Sequence, residues 1–179
     1  MASSEPPRVL LDSCALLAVI KNEPGSERLD GLMDMIVRDK AQLLESVLVL
    51  GEVYKRSTAG AEVDRSREDA KLGEIRKLLT SQKVTLLDVT PPVVQKATEL
   101  RQAHSLKLPD AVHLATAILN RCDWFVTFDR DFQRVTGPTV FRLDRVPERA
   151  TQLPWELPVQ PELSYDDPPN VVRLRAASD

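Results

Sequence analysis

The sequence is short of several things, and each shortage excludes something. It has only two cysteines, Cys14 and Cys122, in 179 residues. That rules out a disulfide framework, and the apolar neighbours of both make free thiols in a reducing compartment the expectation. No apolar run approaches the roughly 18 residues that a membrane span needs. The opening "MASSEPPRV" lacks the basic and apolar regions of a secretory signal, so a cytoplasmic protein with no membrane association is expected. Positive charge is not in excess either, since the formal net charge is −3. No global basic field announces a nucleic-acid partner. Such a partner would need a local basic patch or metal ions held by acids. No internal repeat is present.

What remains is ordinary for a globular protein, with 42% hydrophobic and 28% charged residues. The length suits one domain with a real core. "RVLLD" (8–12) reads as a buried strand and "SCALLAVIKN" (13–22) as a helix. Helices follow over 26–38 and 46–57, with a short strand at 41–46. Helix 26–38 carries Leu29, Leu32, Met33, Ile36 and Val37 on one face. The segment 63–82 is a helix with Leu72, Ile75, Leu78 and Leu79 as its stripe. A strand at 83–89 precedes helices over 90–106 and 106–119, both with proline in the opening turn. Strands at 123–129 and 139–146 complete the series. Strands alternating with helices predict an α/β fold with a parallel sheet. From Pro147 the prolines break any regular element. The expected division is therefore a domain over 1–146 and a Pro-rich tail over 147–179, with the part beyond about Ala150 dispensable for the fold.

In a parallel α/β sheet, ligands bind where strands end and helices begin. Asp12 leaves the first strand, Asp129 leaves the fourth, and Asp110 opens a helix beside Pro109. Glu52 lies one to two turns into the helix after the second strand. Most of these have a plain structural explanation when taken singly. Asp12 caps a helix, Asp110 complements a helix dipole, and Asp129 starts a turn. Glu52 is the exception, an acid between Val47 and Val53, where burial is costly unless it faces a charge or a cavity. Asp131 adds a further carboxylate two residues beyond Asp129. Clustered carboxylates raise each other's pKa, and a divalent cation keeps such a cluster ionised. Oxygen ligands without His or Cys suit Mg²⁺ or Mn²⁺. Two such ions can clamp the attacking water and the leaving oxygen of a phosphodiester.

"LLDSCALLAVIKNEPGSE" resembles the opening of PIN-domain ribonucleases of the VapC toxin type, in which an Asp ends the first strand and a small hydroxyl residue follows. "LVLGEVYKR", "LPDAVHLATAI" and "FVTFDRDF" resemble the other three acidic motifs of that family, in the same order. The resemblance spans about residues 8–145. It implies a PIN-like fold, a central parallel sheet of about five short strands with helices on both faces. It also implies an Mg²⁺- or Mn²⁺-dependent endoribonuclease, an inhibitory protein antitoxin and a homodimer. Carried over by motif, Asp12, Glu52, Asp110 and Asp129 are the catalytic and metal-ligating quartet. Asp131 is an outer fifth member, and Ser13 and Thr127 are supporting residues.

Cys14 departs from the pattern, standing where a hydroxyl often is. The change is expected to remove one hydrogen bond and leave the metal ligands untouched. A nucleophilic role for Cys14 is disfavoured, because no histidine is near it in sequence. His113 lies three residues after Asp110 on the same helix and so could approach the site, but a partly buried structural histidine is the main expectation. Lys55, Arg56, Arg101, His104, Lys107, Arg130 and Arg134 fall near the acidic rim and are possible phosphate contacts. Trp155 stands in the tail with nothing local to bury it. The alternative function is a PIN-like module that binds nucleic acid or protein without cutting. A phosphohydrolase with an Asp nucleophile is disfavoured, because the residue two beyond Asp12 is Cys14, not a second Asp. For the homodimer, the apolar surface from Leu29 to Val37 is one candidate face.

Overall fold

The computed structural model describes residues 5–54, 65–135, 140–142 and 153–155. The apolar runs Val9–Leu11, Leu43–Leu44 and Phe125–Val126 are buried. Burial of consecutive residues on both faces is the condition under which parallel strands form. The chain order is β1 (Arg8–Leu11), α1 (Ser13–Lys21), a 3₁₀ turn (Ser26–Leu29), α2 (Asp30–Val37), β2 (Gln42–Ser46), α3 (Val49–Val53) and α4 (Arg65–Leu79). Then come β3 (Val84–Leu87), α5 (Pro91–His104), α6 (Leu108–Leu119), β4 (Trp124–Thr127), a second 3₁₀ turn (Arg130–Arg134) and β5 (Val140–Arg142). The strands form one five-stranded sheet in the order β3-β2-β1-β4-β5, and every pairing is parallel. This is the α/β architecture expected from the alternating pattern.

Alternate strand residues serve two cores, one on each face. Val9, Leu11, Leu43 and Val126 pack with α1, α2 and α4 through Leu16, Leu32, Ile36, Ile75 and Leu79. Leu10, Leu44 and Phe125 pack with α5 and α6 through Val93, Ala97, Val112 and Ala115. β1 lies between β2 and β4. The chain winds outward from β1 to β3, then returns to lay β4 on the other side of β1. That reversal opens a crevice at the C-terminal ends of β1 and β4, the usual ligand position in an open parallel sheet.

Several expectations change. The helix read over 46–57 covers only Val49–Val53 among the described residues, because Ser46 still pairs with Leu87 in the sheet. Residues 55–57, including Lys55 and Arg56, lie outside the described residues. The apolar surface from Leu29 to Val37 is not free for a second copy. Leu29, Leu32 and Ile36 are core residues, and only Val37 stands well exposed. Most of the tail is outside the described residues, but Leu153 and Trp155 belong to the core on the α1–α2 side. Trp155 Nε1–H donates to the Arg28 carbonyl at 2.8 Å, and its ring meets Trp124 at 5.4 Å between centroids. Gly31 permits this approach, since a Cβ there would sit 2.8 Å from the Trp155 carbonyl oxygen. Trp155 is thus buried by residues distant in sequence and anchors the start of the tail.

Candidate metal centre

Asp12 directly follows β1, held in line by its N–H donating to the Val126 carbonyl at 2.9 Å. It is only 2% exposed. Its Oδ1 accepts the Ser13 N–H at 2.8 Å, and its Oδ2 accepts the Thr127 hydroxyl at 2.8 Å and the Cys14 thiol at 2.9 Å. A buried carboxylate needs such donors, and these provide them from both sides of the crevice. Thr127 links two acids, because the same Oγ1 accepts the Asp129 N–H at 2.9 Å. Cys14 therefore does touch one of the expected metal ligands, where the sequence suggested it would not. Burial, followed by the charge of Asp12, pushes its thiol up to about 12. At neutral pH it remains a thiol, suited to donating and not to nucleophilic attack.

Asp110 sits in the first turn of α6, after Pro109. Asp129 opens the second 3₁₀ turn, its Oδ1 accepting the Asp131 N–H at 2.8 Å. Each of Asp110, Asp129 and Asp131 brings a carboxylate oxygen within 4.8 Å of the other two. Burial, then the charges of Asp12 and Asp129, push Asp110 up to about 6, with Lys107 opposing and Glu52 adding to the rise. Its Oδ2 is buried and has no hydrogen-bond partner. A buried carboxylate oxygen without a partner, on an acid grouped with two further carboxylates, fits a hard divalent cation. Asp131, read as the outer member, therefore joins Asp110 and Asp129 in the tightest acid group among the described residues. Its own carboxylate meets Lys107 Nζ at 2.8 Å.

Glu52 comes from α3 and meets His113 of α6, Nε2 to Oε2, at 2.6 Å. Burial alone would raise the Glu52 pKa. The hydrogen bond and charge of His113, with help from Ser13, bring it below its ordinary value. Glu52 also contributes to the field at Asp110. The structure thus places Asp12, Glu52, Asp110, Asp129 and Asp131 around one crevice, with Ser13 and Thr127 as donors to their carboxylates.

Two residues outside the expected set of acids interact with it. His113 is fully buried and linked to the acids through Glu52. Its signal was its place three residues after Asp110, on the same helix face. Glu45, at the end of β2, is also fully buried. Its Oε1 accepts the Leu11 N–H at 3.3 Å, and its Oε2 has no partner. Burial, opposed by that hydrogen bond and reinforced by the Asp12 charge, raises its pKa well above the usual carboxylate range. An acid within the run "QLLES" was its only sequence signal.

A PIN domain family profile matches residues 9–138. Among solved structures, the chain is similar to VapBC2 from Rickettsia felis bound to a promoter DNA fragment. The TM-score is 0.56 at 16% identity, covering 76% of this chain and 99% of that one. It is similar to a toxin–antitoxin complex from Klebsiella pneumoniae with a TM-score of 0.52 at 21% identity, covering 74% and 99% of the two chains. It is also similar to the VapC20 toxin of Mycobacterium tuberculosis, described as cleaving the sarcin–ricin loop. Here the TM-score is 0.51 at 19% identity, covering 70% and 92%. A search of curated proteins by sequence gave no significant match. The profile covers well over half of the chain, and the parallel sheet with acids at its switch point agrees with it. The chain belongs to the PIN-domain family.

Proposed function

We propose that this protein is a metal-dependent endoribonuclease that serves as the toxin of a toxin–antitoxin pair in the cytoplasm. The observation that carries the nuclease reading is the grouping of Asp110, Asp129 and Asp131, each with a carboxylate oxygen within 4.8 Å of the other two, together with a buried Asp110 Oδ2 that has no hydrogen-bond partner. Asp110, Asp129 and Asp131 would hold Mg²⁺ or Mn²⁺, with Asp12 and Glu52 completing the acidic surround. The cation supplies Lewis acidity towards water and phosphodiester oxygens. The chain's own residues fix the carboxylates. Ser13, Cys14 and Thr127 hold Asp12, Thr127 positions the Asp129 backbone, and His113 keeps Glu52 ionised. Support for a protein antitoxin and for RNA as substrate comes from the fold shared with the toxin and toxin–antitoxin structures. A homodimer is what the resemblance of the four acidic motifs to the VapC-type family implies.

The membrane has no part in this reading, and no helix among the described residues is long and apolar enough to cross one. The alternative, a module that binds without cutting, draws on the burial of Asp12 and the engagement of both its oxygens. Incubation of a mixed RNA pool with Mg²⁺, Mn²⁺ or chelator separates the two. Cleavage that needs the cation and is lost in Asp12→Asn supports the nuclease. RNA that is bound but stays intact under every condition supports the binding module.

A further inference from the structure

Beyond Asp131 the crevice changes sign. A pocket of about 410 Å³ opens there, and Asp131 forms part of its wall. Lys107, Arg130 and Arg134 line the same wall, with His104 at the end of α5. Three cations against one acid make this surface net positive, although the whole chain carries −3. The Lys107 ammonium is already committed to Asp131 at 2.8 Å. Arg130 and Arg134 are exposed, and neither makes an ion pair among the described residues.

Unpaired surface arginines are common, so their placing decides the matter. Phe132 lies between them in sequence, is only 2% exposed, and meets Phe125 at 5.1 Å between ring centroids. That anchor fixes the 3₁₀ turn against the core. The backbone of both arginines is therefore fixed at the rim of the pocket, so the turn itself needs no ordering on binding. Ser105 and Gln133 add neutral hydrogen-bonding groups to the wall. A guanidinium fork matches the oxygens of a phosphate. An RNA strand laid over an acidic centre needs neutralisation for the phosphates beyond the cation. This pocket offers it directly next to the acids.

We propose that the pocket binds backbone phosphates of single-stranded RNA next to the bond presented to the acid cluster, with Arg130 and Arg134 as the principal contacts. The proposal rests on the nuclease reading for its substrate. Contacts of this kind are made to the backbone and carry no base information.

The test is the anisotropy of a fluorescein-labelled single-stranded RNA dodecamer, measured with the full chain in chelator so that no cleavage intervenes. The double variant Arg130→Ala/Arg134→Ala is compared with wild type and with a charge-matched control, Arg38→Ala/Lys77→Ala. The expected result is a loss of affinity of about tenfold or more in the first variant alone. The slope of log K against log salt should fall by about 1.4, which is two phosphate contacts at about 0.7 each. Wild-type affinity and slope in the Arg130/Arg134 variant, or an equal loss in the control, would overturn the proposal. An unchanged RNA affinity would leave the pocket to a protein segment. The assay is independent of the nuclease reading. If RNA binds through the two arginines but is never cut, only that reading fails. If RNA is cut and the arginines are irrelevant, only the pocket fails.

Discussion

His113 Nε2 lies 2.6 Å from Glu52 Oε2, joining α6 to α3 across the mouth of the crevice. The imidazole is fully buried and its Nδ1 has no partner. It gains its polar contact only from Glu52, and Glu52 owes its lowered pKa chiefly to it. Replacing His113 with Leu leaves a partly buried carboxylate without its principal donor, at a cost of about 1–3 kcal/mol. Gln keeps a donor at similar reach. The expected outcome is weaker Mn²⁺ binding by calorimetry in His113→Leu, with substantial recovery in His113→Gln. Equal affinities in both variants and wild type would remove His113 from the support of the site.

The raised pKa of Asp110 gives a pH signature to the metal-free protein. Its folded value of about 6 exceeds the ordinary 3.8. A raised pKa means that the protonated form favours folding. That contribution is complete below about pH 4 and disappears as pH rises through 6. Glu45 acts in the same direction. Glu52, whose pKa is lowered, acts oppositely and only below its ordinary value of 4.5. Between pH 5 and 7, stability in chelator should therefore fall, by about 1–2 kcal/mol after allowance for solvent screening of a half-buried group. Asp110→Asn should reduce that slope, leaving the share of Glu45, and stabilise the metal-free protein at pH 7. Urea titrations at pH 5, 6 and 7 measure it, and a rise in wild-type stability over this range would contradict the assigned repulsion.

Trp155 ties the start of the tail to α2 and β4. It is 7% exposed, donates to the Arg28 carbonyl and meets Trp124. Its replacement by Ala should cost about 3 kcal/mol, the lower end for a large buried aromatic. Truncation before Leu153 should cost at least as much. Thermal unfolding of both variants gives the answer. A transition unchanged from wild type would restore the tail to a dispensable extension.

The sheet was legible in the sequence because each strand is a short apolar run ended by polar or turn residues, and because helices with proline or Asp at their starts lie between. Asp12, Asp110 and Asp129 were legible for the same reason, as acids at the ends of strands or the start of a helix. Glu52 stood out by its apolar neighbours. Three features depend on contacts between distant positions, so a local pattern does not show the partner. His113 and Glu52 are 61 residues apart. Trp155 and Arg28 are 127 apart. Glu45 accepts from Leu11 across the sheet, 34 residues away, where local reading sees only a polar residue near the end of a strand. The length of the 46–57 helix was misjudged because its helical periodicity overlaps residues whose fate is set by pairing with β3. The tighter grouping of Asp131 over Asp12 arises from the 3₁₀ turn after Asp129, which folds the two carboxylates towards Asp110.

The central claim is that Asp110, Asp129 and Asp131 hold a divalent cation that RNA cleavage requires. The most direct test is the single-turnover cleavage rate of single-stranded RNA as Mn²⁺ is titrated, for wild type and Asp110→Asn, with folding of both confirmed by their melting curves. The account predicts saturable Mn²⁺ dependence in wild type, and in the variant a loss of at least about a hundredfold that added Mn²⁺ does not fully restore. Cleavage by Asp110→Asn at the wild-type rate and the same Mn²⁺ midpoint would contradict it.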